Sequence, residues 1–143
     1  MSKQEKHRGL RLGDAKEVAD REDVGQVIEL DDEAGEPILY GDGKRSTVTV
    51  AGRYSHRYRN AVKRQTIGFR KGKMKSFSED DLLASAIEIE AACVLSWEGI
   101  ETDDGGPIDC NPKNVAAFLA GIPWFREAVQ AAIEDHAGFF GNA

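Results

Sequence analysis

Cysteine and histidine are scarce in this chain of 143 residues, with two of the first and three of the second. Cys93 falls in an apolar helical run and Cys110 in a loop, and neither belongs to a C-x-x-C pair. A zinc site needs about four converging nitrogen or sulfur ligands, usually two of them closely spaced. His7, His56 and His136 are scattered, so no metal and no cofactor is expected, and the thiols read as a reduced pair. Long apolar runs are also missing. No stretch approaches the ~18 to 20 residues that cross a bilayer, which argues against a membrane partner. The first eight residues, Met1 to Arg8, are charged and lead into no apolar core, so no secretory signal is expected.

Acidic residues are absent from one whole quarter of the chain, and this is the most informative deficit. Residues 43–78 carry 11 basic groups and no acidic one. Residues 1–42 hold 6 basic and 12 acidic groups, and residues 79–143 hold 2 and 13. The balances of −6, +11 and −11 sum to the net −6 of the chain. The composition, 41% hydrophobic and 31% charged, is that of a globular protein with room for one compact domain.

Residues 1–23 mix charges of both signs with few large apolar groups (Leu10, Leu12, Val18). They read as a flexible charged arm, or one ordered by a partner, ahead of a single domain over residues 24–143. Within that domain residues 24–51 read as a β-meander. Val24–Leu30 is a first strand with Val27, Ile28 and Leu30 as apolar anchors, followed by a turn in which Gly35 supplies a positive φ. Pro37–Tyr40 is a short second strand, and Lys44–Ala51, alternating through Val48 and Val50, is the third.

Residues 52–143 read as helical. Ser55–Gln65 has helical spacing, with Tyr54 as an anchor just ahead of it. Ser78 caps a long helix to about Trp97, apolar on two stripes and so expected at the centre of the core. Gly99–Cys110 is a turn-rich insertion. Asn111-Pro112 opens a helix that stops at Gly121, and Pro123 starts a last one closed by Gly138 before Phe139-Phe140. The expected fold is α+β, a small N-terminal antiparallel meander followed by a four-helix C-terminal bundle, with no internal repeat.

Catalytic signatures do not assemble. Asp103 to Gly106 lacks the closing glutamate of a calcium loop and reads as a tight turn. Gly41-Asp42-Gly43 is followed by a strand and has no Lys-Ser/Thr ending, so it is no phosphate cradle. Ser55-His56 reads as the first turn of a helix, and His136 as a hydrogen-bonded, partly buried group. Glu88 and Glu90 lie about 200° apart on a helix and do not form a carboxylate pair. The chain is therefore expected not to be an enzyme.

The basic segment 44–75 supplies the functional lead. Arg53, Arg57, Arg59, Lys63 and Arg64, interleaved with Tyr54 and Tyr58, are candidate partner-binding residues, as are Phe139 and Phe140 at the aromatic tail. Arginine with aromatic groups suits phosphate contacts and base stacking, yet the acidic net charge opposes binding to a polyanion. The +11 and −11 blocks fit contact with charged proteins or with copies of the same chain. The bland alternative is that both blocks are solvated faces, and that Phe139 and Phe140 only cap the core.

The segments Ala91–Ile100, Asp103–Ile108, Asn111–Val115, Ile122–Arg126 and Ala132–Phe140, preceded by Val48–Tyr58, resemble the tail assembly chaperones and related small tail-morphogenesis proteins of tailed bacteriophages. That resemblance, over residues 45–140, implies a mostly helical, non-enzymatic assembly protein with other tail proteins, the tape measure and tail tube, as partners. It implies a place in the host bacterial cytoplasm during assembly. A structural subunit retained in the virion is the alternative, and a nucleic-acid-binding module the less favoured one.

Overall fold

The computed structural model describes residues 7–70 and 78–142. The architecture is α+β, a small antiparallel sheet with helices packed against it. The expected arm over residues 1–23 is corrected for its second half: Gly13–Val24 forms helix α1, while residues 1–6 lie outside the described residues. Few apolar groups anchor α1. Instead Glu22, 2% exposed, turns inward, accepts from the Tyr54 backbone N–H at 2.9 Å and meets His136 Nδ1 at 2.9 Å. A buried carboxylate persists only when its oxygens are partnered, and these contacts, with buried Ala19, dock the helix.

The meander is also corrected. Strand β1 (Gln26–Glu29) pairs directly with β4 (Thr47–Val50), and β2 (Leu39–Tyr40) with β3 (Lys44–Arg45) forms a separate two-stranded ribbon. Alternation puts Gln26 and Ile28 inward and leaves Val27, expected as an anchor, 60% exposed. The buried Gln26 amide is satisfied by the carbonyls of Ala132 at 2.9 Å and Asp135 at 3.1 Å.

Helix α2 (His56–Arg70) starts under Ser55, whose Oγ donates to the Gly52 carbonyl at 2.6 Å and accepts from the Tyr58 N–H at 3.1 Å. Helix α3 (Glu79–Cys93) is capped by Ser78 as expected, but it stops four residues early. Val94–Glu98 is strand β5, paired antiparallel with β4 to complete the order β1-β4-β5. No loop separates helix from strand. The stripes read as one buried helix are a helix and a strand in series, and pairing with β4 overrides the helical spacing. Trp97 consequently faces the core from the sheet, opposite Val48 and against Phe118 and Phe125.

Helix α4 (Pro112–Gly121) is capped by Asn111, which accepts from the Asn114 N–H at 2.9 Å. Ile122 turns the corner into α5 (Pro123–Glu134), and a 3-10 helix over His136–Asn142 closes the described chain. The core joins Val48, Val50, Ile87, Cys93, Val115, Leu119, Phe125 and Val129 between the sheet and α3, α4 and α5.

A local repeat, not expected from the sequence, follows the two edge strands. Residues 30–38 and 100–108 share the order apolar, acidic, hydrogen-bonding, two free positions, Gly, any, Pro, Ile. In each a bridge joins the second residue to the proline, Asp31 to Pro37 and Glu101 to Pro107. Asp32 N–H donates to the Glu36 carbonyl and Thr102 N–H to that of Gly106, both at 2.8 Å. Gly35 and Gly105 hold φ of 81° and 87°, where a side chain is strained.

Candidate functional site

Helix α2 presents its basic residues on two different faces. Positions 57, 60, 61, 64 and 65 follow the i, i+3, i+4, i+7 spacing of one helical face, and together they line a groove of about 610 Å³. Helix α3 closes the groove with Glu88, Ala91 and Ala92, and the start of α4 with Pro112, Lys113 and Ala116. Small residues along α3 and α4 keep the floor open, while Arg57, Arg64 and Lys113 make its edge positive.

Arg57 is partly committed. Its Nη1 donates to the Ala92 carbonyl at 3.3 Å, near the C-terminal end of α3, where no basic residue of α3 itself lies. A cation there satisfies an orphan carbonyl and opposes the helix dipole. Its backbone N–H donates to Asp23 Oδ1 at 3.2 Å. Below it Gln65 joins the helices, donating to Glu88 and accepting from Ser85 Oγ at 3.0 Å. Arg64 and Lys113 have no hydrogen-bond or ion-pair partner among the described residues.

The other expected site residues separate from this groove. Arg59 and Lys63 share a stripe on the far side of α2, exposed, and unpartnered among the described residues. Arg53, ahead of the helix, pairs with Glu134 at 3.2 Å, which raises its pKa through that hydrogen bond. Phe139 is 2% exposed and belongs to the core, so its role as a contact is corrected. Phe140 is exposed, with the Arg21 guanidinium 4.1 Å above its ring. No protein-family model, curated protein or solved structure matches this chain.

Two ionisable clusters lie elsewhere. Asp20, Asp23 and His56 bring three ligand atoms within 4.8 Å of one another at the surface, the one such trio among the described residues. Their mutual ion pairs and the Lys16–Asp20 contact at 2.7 Å account for it. Glu90 receives both Arg126 Nε at 2.8 Å and Nη2 at 3.0 Å, and joins α3 to α5. The hydrogen bond to Glu90 raises the Arg126 pKa, so the pair is a structural clamp. Sequence reasoning missed Lys113 as a groove residue. Its signal was the Asn-Pro-Lys opening of α4, which puts the lysine in the first helical turn.

Proposed function

We propose that this chain is a non-enzymatic assembly protein that works by docking other proteins, with the groove between α2, α3 and α4 as its docking site. The observation that carries this reading is the convergence of Arg57, Arg64 and Lys113 on one groove, two of them unpaired among the described residues. Arg57 and Arg64 stand seven residues, or about 10 Å, apart along α2. Acidic groups two turns apart on a partner helix match that spacing. The four helices α2 to α5 act as the docking body, and the likeness to phage tail assembly chaperones supplies the partner class, a tail protein such as the tape measure. A polyanion fits less well because the chain as a whole carries a net charge of −6.

The test is co-purification with the tape measure protein. Reversing charge at Arg64 and Lys113 together (R64E/K113E) is expected to weaken the complex at least tenfold, whereas Lys63→Glu, on the far side of α2, leaves it intact. Equal loss with Lys63→Glu would reject the groove as the site. Mass spectrometry of finished virions separates a chaperone, absent there, from a retained subunit. Retention of nucleic acid that falls steeply with salt would favour the third reading.

A further inference from the structure

The twin hairpin turns and the α4–α5 corner enclose a second cavity, of about 270 Å³. Its walls are apolar, with Ile100, Ile122 and Phe125 inside and Trp124, 38% exposed, at the rim. The turns give its mouth a negative edge. Asp31 there is paired with Arg45 at 2.8 Å, and Asp32 accepts from its own turn amides at 2.9 Å. Glu33 and Glu101 are left without a partner among the described residues. The pocket thus suits an aliphatic side chain carried next to a cation.

The chain contains such a segment. In His7-Arg8-Gly9-Leu10-Arg11-Leu12, Leu10 is 94% and Leu12 97% exposed, the two most exposed large apolar side chains among the described residues. Arg8 is held by Asp14, but the Arg11 side chain has no partner among the described residues. Helix α1, which follows this segment, packs mainly against α2 and the C-terminal 3-10 helix. We propose that residues 7–12 of one copy dock in the Trp124 pocket of a second copy, Leu10 and Leu12 entering it and Arg11 meeting Glu33 and Glu101. A cavity of about 150 Å³ lined by aliphatic and aromatic groups already holds a benzene, so this one has room for both leucines. Because donor segment and receiving pocket are different surfaces, the contact closes into a reciprocal dimer or propagates head to tail. This self-association is independent of the groove on α2, and neither proposal rests on the other.

Sedimentation velocity of the full chain from micromolar to submillimolar concentration tests it. Reversible, concentration-dependent association is expected, weakened at least tenfold by Leu10→Ala with Leu12→Ala. Those side chains are almost fully exposed, so the variant keeps its fold, as circular dichroism will check. Arg11→Glu and Glu101→Arg are each expected to weaken association, and their combination to restore most of it. A mass that stays monomeric throughout, or an association indifferent to Leu10 and Leu12, overturns the proposal. So does a combined charge swap no better than its parents.

Discussion

Glu90 sits on α3 with 7% of its surface exposed, and its oxygens are taken by Arg126 and by Gln130 Nε2 at 3.0 Å. Removing one member of such a pair leaves a charge buried without compensation, which costs more than the intact pair contributes. Arg126→Ala is expected to lose about 3 kcal/mol of stability by urea unfolding. Replacing both residues with methionine should lie closer to wild type than either single change, and a double variant worse than both singles would refute the clamp. The cysteines give a second residue-scale expectation. Burial pushes the Cys93 thiol up to about 12 and moves Cys110 upward as well. The thiolate is the reactive form, so a native sample at pH 8 should titrate one thiol slowly, Cys110, with a rate that climbs with pH. Cys93 should appear only in denaturant. Since the folded pKa of Cys93 lies above the ordinary thiol value of 9.0, its contribution to stability is complete below that pH. It is lost as pH rises toward 12, because the unfolded state releases the proton first.

At the scale of elements, α1 depends on space beside Gly52. A Cβ there would lie 2.0 Å from Glu22 Oε1, so the carboxylate that docks α1 must leave its place. Gly52→Ala is expected to cost about 2 kcal/mol, within the range for overpacking. Amide exchange should lose protection first across residues 13–24, and unchanged protection there would show that Glu22 does not hold the helix. This dependence also explains which elements the sequence revealed. Caps act locally, so Ser78, Asn111 and the Ile122-Pro123 corner are readable from neighbours in the chain. Docking of α1 rests on one buried glutamate meeting residues 32 and 114 positions away, and no local pattern announces that. The same holds for β5, whose strand character comes from β4. The candidate groove was half legible: the basic run named Arg57 and Arg64, but helical geometry parts them from Arg59 and Lys63. Lys113 joins them only through the packing of α4 on α3.

At the scale of the whole molecule, the +11 and −11 blocks partly neutralise each other within the fold. Arg53 meets Glu134, while the start of α2 meets Asp20 and Asp23 of α1, which belong to the N-terminal acidic block. Among the described residues, unpaired charge of opposite sign remains in the basic groove and at the acidic mouth of the Trp124 pocket, while Arg59 and Lys63 stay exposed on the far side of α2. The peptide between Cys93 and Val94 joins α3 directly to β5. Because the strand repeats every two residues, one extra residue at that peptide would exchange the faces of β5, sending Trp97 to the outer face and Glu98 into the core. An extra residue in the turn at 103–104, by contrast, only enlarges a surface loop. Length variation in this protein should therefore be tolerated at the twin turns and forbidden where helix passes into strand.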